Sequence, residues 1–94
     1  MRFAWNDEKN EQLKADRGIS FEEIVLSIES GLVLDIIDHP NPGRYGDHRV
    51  YIIDIDDYAY IVPFVDSGGV RFLKTIIPNR KMTRRYLYDQ EDQA

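Results

Sequence analysis

The most regular hydrophobic spacing in the chain is Phe21, Ile24, Val25 and Ile28, apolar at i, i+3, i+4 and i+7. That period predicts an amphipathic helix with one buried stripe. Ser20 and Glu23 form a capping box at its start, and Gly31 ends it. A second helix is predicted upstream over 7–17. Asn6 is its N-cap, Asp7 and Glu8 place negative charge in its first turn, and Gly18 stops it. Within it only Leu13 and Ala15 are apolar, so it buries a narrow stripe and leaves the rest polar. Gly18 and Ile19 alone separate the two helices, which therefore form a tight hairpin.

Most of the remainder reads as strands. Arg2 to Trp5 is a short apolar segment, 32–37 a second, and 49–55 a third. Asp56-Asp57 turns the chain into a fourth strand over 58–65, and Ser67-Gly68-Gly69 leads into a fifth over 70–77. Pro63 inside the fourth run predicts an edge strand or a bulge, because proline donates nothing to a ladder. Pro78-Asn79 breaks the fifth strand before a short helix over 80–88. The expected fold class is α+β: a helical hairpin packed on a twisted antiparallel sheet, with a short C-terminal helix. Phe21, Ile24, Val25 and Ile28 are expected to meet Ile53, Ile55 and Leu73 in the main core. Ninety-four residues suit one domain, 1–88, with a polar acidic tail over 89–94 that is expected to fray.

Charge changes this picture. Residues 71–85 hold Arg71, Lys74, Arg80, Lys81, Arg84 and Arg85 and no acid. The chain as a whole is −5, so with those six cations set aside the rest carries −11. A basic edge on an acidic body predicts a localised anion partner, phosphate or carboxylate, while the overall acidity disfavours broad nucleic-acid binding. The alternative is a solvated cationic helix end. There is no cysteine, which excludes disulfides, thiol catalysis and thiolate metal sites. Apolar runs are too short for a membrane helix and the N-terminus has no signal-peptide core, so a cytoplasmic location is expected. The loop over 39–48 holds both histidines, His39 and His48, without metal-ligand spacing, and no metal or cofactor is expected.

No phosphate loop, Ser-His-Asp order, CxxC or HExxH occurs. What remains is the basic stretch with Arg49, Tyr86 and the histidines. Such a set suits metal-free phosphodiester chemistry on RNA, where the ribose 2′-OH is the nucleophile. The protein then needs to align it, balance charge on the phosphate and protonate the leaving oxygen. Arginine suits the charge balance because its fork binds phosphate in two places and never titrates.

Phe3-Ala4-Trp5-Asn6-Asp7-Glu8-Lys9, Leu13-Lys14 and Arg17-Gly18-Ile19-Ser20-Phe21-Glu22-Glu23 resemble the opening of the BrnT toxins. Ile76-Ile77-Pro78-Asn79-Arg80-Lys81-Met82-Thr83 resembles a shorter segment of that family. The chain departs from the family pattern at Arg17, where the family has histidine, and at Pro78, where it has serine. The resemblance implies a RelE-like fold. It implies the toxin component of a type II toxin–antitoxin system, a metal-independent RNA endonuclease that inhibits translation. Its partner would be a DNA-binding antitoxin of ribbon-helix-helix or helix-turn-helix type, through which alone it would meet operator DNA. Residue by residue, Arg80, Arg71 and Arg49 would hold the scissile phosphate, and Tyr86, Lys81 or a loop histidine would move protons. Lys9, Lys74, Lys81, Arg84 and Arg85 would bind RNA. A reading of another class needs the same cations: a catalytically silent module that docks an acidic partner segment on its basic edge.

Overall fold

The local signals at the first two helices translate directly into structure. In the computed structural model, which describes residues 1–39, 43 and 48–88, β1 (Arg2–Ala4) leads into α1 (Asp7–Arg17) and α2 (Phe21–Glu29). Asn6 Oδ1 accepts from Lys9 N, and Gly18 closes α1 in the left-handed region at φ 66°. Ser20 caps α2 by accepting from Glu23 N. Asn10 fixes the hairpin. Its Oδ1 accepts from Phe21 N at 2.8 Å and its Nδ2 donates to Glu22 Oε1 at 2.7 Å, with the residue buried. The carboxyl of Glu22 is held below its usual range, first by that bond from Asn10.

The strands are β2 (Val33–Asp38), β3 (Arg49–Ile55), β4 (Tyr58–Ser67), β5 (Val70–Leu73) and β6 (Ile77–Pro78). They order as β1-β5-β4-β3-β2, with β6 beside β4. The sheet is mixed rather than antiparallel throughout, because β1 runs parallel to β5. A helical hairpin between the first strand and the rest returns the chain to the far edge, which makes that parallel pairing available. Asp56 and Asp57, at φ 54° and 65°, form the two-residue turn between β3 and β4.

Pro63 lies in a central strand, not at an edge. It pairs with Val50 of β3, and its carbonyl accepts from Lys74 N at 2.8 Å. Its missing N–H would point to the same side as that carbonyl, where the partner of β4 changes from β5 to β6. The predicted fifth strand is accordingly two short ones, joined by residues 74–76 outside the ladder.

Alternation along β3 and β4 sends side chains to two layers. On the hairpin side Phe21, Ile24, Tyr51, Ile53, Val62, Phe64, Leu73 and Ile76 form the main core, with Val25, Ile28 and Ile55 packed at its margin. On the other side Val50, Ile52 and Ala59 are covered by Met82 and Tyr86. These last belong to α3 (Arg80–Thr83) and the π-helical turn that continues it (Arg84–Tyr88). The expected core is thus present, but a second, smaller core occupies the opposite face.

Thr83 ties α3 to the sheet. Its hydroxyl donates to Asn79 O and accepts from Ala59 N, both at 2.8 Å, and the residue is buried. Thr83→Val should cost about 1–3 kcal/mol, because it leaves the Ala59 N–H buried without an acceptor. A urea midpoint equal to that of the parent chain would contradict this role.

No helix among the described residues is long and apolar enough to cross a membrane. The tail over 89–94 and most of the histidine loop lie outside the described residues.

Candidate anion-binding site

The basic stretch does not converge on one place. Arg71 lies on β5, on the hairpin face, opposite Asp66 in the β4–β5 register. Its Nε donates to Asp66 Oδ1 at 2.7 Å and its Nη2 to Oδ2 at 2.9 Å, a two-pronged carboxylate fork. Its Nη1 donates to Tyr51 Oη at 2.6 Å. Arg49 of β3 reaches the same carboxylate, Nη2 to Oδ2 at 3.0 Å. Both guanidiniums lie against the Phe64 ring, at 5.2 Å for Arg49 and 4.4 Å for Arg71. Arg71 holds the Asp66 carboxyl below its usual range, and Asp66 in turn pushes Arg71 farther above the range in which it loses its proton.

That ion cluster makes a pH prediction. The Asp66 pKa is lower in the folded state than in the unfolded one. Its contribution to stability is therefore complete above the unfolded value and disappears as pH falls through the folded value. Stability should decline on acidification below about pH 4, the unfolded aspartate value, and Asp66→Asn should flatten that decline. Identical acid-unfolding curves for parent and variant would remove Asp66 from the account.

Arg80, Lys81, Arg84 and Arg85 form the second group. They occupy adjacent turns of α3 and the π turn, on the side away from Met82, Thr83 and Tyr86. Together they line an open recess of about 660 Å³. Among the described residues none of the four makes an ion pair. Arg85 stacks over the Tyr86 ring at 5.7 Å, and Tyr88 of the same turn is 47% exposed.

The two groups are far apart. α3 docks beside Ala59, to which Asn79 N donates through the Ala59 carbonyl, while the Arg71 cluster surrounds Asp66. Seven residue steps along β4 separate those points, about 23 Å at 3.3 Å per step. They also lie on opposite faces of the sheet. The expected set of Arg80, Arg71, Arg49 and Tyr86 is therefore split into two.

Tyr86 lies under the basic helix but turns toward the sheet, where its hydroxyl donates to Asp35 Oδ2 at 2.7 Å. That bond, followed by burial, raises the Tyr86 pKa. Asp35 Oδ1 also accepts from Ile36 N at 2.8 Å. His39 and His48 extend the β2–β3 ladder past the Asp38–Arg49 pair, at the Arg49 end of the sheet. Their rings are 6.1 Å apart. Among the described residues no group of three His, Asp or Glu side chains is placed to hold a metal. Lys9 sits on α1 and Lys74 beyond β5, over the Phe72 ring at 5.3 Å, so neither lines the recess. Arg17 is structural as well, donating to Ile76 O at 2.6 Å.

Three residues that carry these arrangements are absent from the sequence-based set. Asp66 was legible: with Gly68-Gly69 as a two-residue turn, the register sets Asp66 opposite Arg71. Tyr51 and Asp35 follow only from the alignment of β2, β3 and β4, which includes an irregularity between Val33 and Asp35.

Comparison with family models, with curated proteins and with solved structures gives no match.

Proposed function

We infer that this protein binds single-stranded RNA through the recess of α3 and the π turn, as the toxin component of a type II toxin–antitoxin pair. The observation that carries the reading is four cations lining one recess, with no ion pair to a described residue, on a chain of net charge −5. Like charges at adjacent helix turns repel one another, so an anionic partner stabilises this arrangement. The likeness of Phe3–Glu23 and Ile76–Thr83 to BrnT toxins supports the toxin assignment and a RelE-like arrangement of the helical hairpin on the sheet. It also supports a ribbon-helix-helix or helix-turn-helix antitoxin as the partner, with operator DNA reached through it, and a cytoplasmic setting.

RNA cleavage is part of this reading, with Arg80 balancing charge on the phosphate and the 2′-OH attacking. One specific observation favours the silent binding module instead. Among the described residues no histidine or carboxylate lines the recess, and the Tyr86 hydroxyl is engaged with Asp35. Induced expression of the chain alone separates the two. Cleavage predicts growth arrest relieved by the antitoxin, and fragmentation of RNA in vitro that survives excess EDTA. Normal growth with intact RNA, together with recess-dependent docking of an acidic partner segment, would leave the silent binding module.

A further inference from the structure

We propose that Asp35 is a positioning residue of the recess, holding the π turn against β2 through Tyr86 so that Arg84 and Arg85 stand beside Arg80 and Lys81. The proposal rests on the reading of the recess as the RNA surface. Its starting point is an irregularity in β2. Val33 pairs with Ile53 and Asp35 with Ile52, so two steps on β2 match one on β3. Regular alternation would put Asp35 on the same face as Val33, which packs on the hairpin-side core. The bulge instead sets it opposite Ile52, in the layer beneath α3. A bulge re-aims a side chain at the cost of a disrupted ladder, and here the side chain re-aimed is a carboxylate. Both of its oxygens are used. Oδ2 accepts from the Tyr86 hydroxyl at 2.7 Å, and Oδ1 accepts from Ile36 N at 2.8 Å.

The second observation is how the basic segment is tied down. Four residues of α3 and five of the π turn make nine in all. That is shorter than the ~12–15 at which a helix holds itself in water, so tertiary contacts decide where it lies. The first half has its own anchors: Asn79 accepts from Met82 N, and Thr83 joins the helix to Ala59. Among the described residues the π turn has two side-chain hydrogen bonds to the sheet and its turns. One runs from Tyr86 to Asp35 at 2.7 Å, the other from Tyr88 to Asp57 O at 3.5 Å. The first is by far the shorter and is made to a carboxylate, the stronger kind of acceptor. Arg85 lies over the Tyr86 ring at 5.7 Å, so the setting of Tyr86 also sets that cation. Asp35 therefore fixes the Arg84–Arg85 half of the recess, whereas Arg80 and Lys81 keep their places without it.

The test uses the full chain, with amide hydrogen exchange measured without RNA. The salt slope is measured for a fluorescein-labelled single-stranded RNA of twelve nucleotides. Asp35→Ala should speed exchange at 86–88 by about tenfold, the scale of a hydrogen bond to a charged group, and leave Met82 and Thr83 unchanged. It should make the salt slope shallower by about 1, between the loss of one and of two contacts at about 0.7 each. Asp35→Asn removes the same carboxylate but keeps both contacts, since its amide can donate to the Tyr86 oxygen. It should resemble the parent in both readouts. Tyr86→Phe keeps the ring and should match Asp35→Ala, and the two together should do no more than either alone. In the Asp35→Ala background, Arg84→Gln should change the slope less than Arg80→Gln does. Unchanged exchange in Asp35→Ala, or equal effects of the Ala and Asn variants, would overturn the proposal. If exchange responds as expected but Arg80→Gln and Arg84→Gln leave RNA binding by the parent untouched, the recess reading fails and the positioning role falls with it.

Discussion

Replacing Phe21 with Ala should lower stability by about 3–5 kcal/mol, the cost of emptying a large buried aromatic site. For 94 residues at about 0.05–0.15 kcal/mol each, that is a large share of the total. Phe21 is fully buried, stacks on Trp5 with centroids 5.7 Å apart, and donates its N–H to the Asn10 side chain. It is the residue at which α1, α2 and the sheet meet. The cavity cannot collapse readily, because Ile24, Ile53 and Leu73 around it are themselves fully buried on separate elements. Ile28→Ala should cost less, since Ile28 packs only at the margin of the core. Urea unfolding checks both. A Phe21→Ala midpoint within experimental error of the parent, or a larger loss at Ile28 than at Phe21, would contradict the packing described.

Converting Arg80, Lys81, Arg84 and Arg85 together to Gln should abolish measurable RNA binding. Each phosphate neutralised on a single strand contributes about −0.7 to the slope of log affinity against log salt. Four contacts predict a slope of about −3 on that scale, so a tenfold rise in salt weakens binding by about a thousandfold. Arg84→Ala alone should make the slope shallower by about 0.7. Arg71→Ala is the informative contrast. Its guanidinium already forks Asp66 and contacts Tyr51, so its loss should lower stability and leave the salt slope unchanged. A slope that depends on Arg71 and not on Arg84 would move the RNA surface to the other face of the sheet.

Local chemistry was the most legible part of the fold. The caps at Asn6 and Ser20, the stop at Gly18 and the Asp56-Asp57 turn act within a few residues, and each lies where its side-chain chemistry predicts. The main core follows from the helical spacing of α2 for the same reason. What sequence could not supply was the relation between distant segments. Pro63 reads as an edge residue because its lack of an N–H is a local fact. The change of partner from β5 to β6 that makes it harmless is a tertiary one. The basic stretch misleads similarly. Arg71 and Arg80 are nine residues apart, but the short irregular link over 74–76 and the Pro78-Asn79 break carry the chain to the opposite face. Among the expected site residues, Arg80, Lys81, Arg84 and Arg85 stay together because one continuous helical segment holds them. Arg49 and Arg71 come together through strand register and are there balanced by Asp66, whose role depends on pairing rather than on sequence neighbourhood.

The most direct test of the central claim is an amide chemical-shift titration of the full chain with single-stranded RNA. The recess predicts concentration-dependent shifts concentrated over 79–88, absent when Arg80 and Arg84 are both Gln. Shifts centred on Arg49, Tyr51, Asp66 and Arg71, or no shifts at all at low salt, would contradict it.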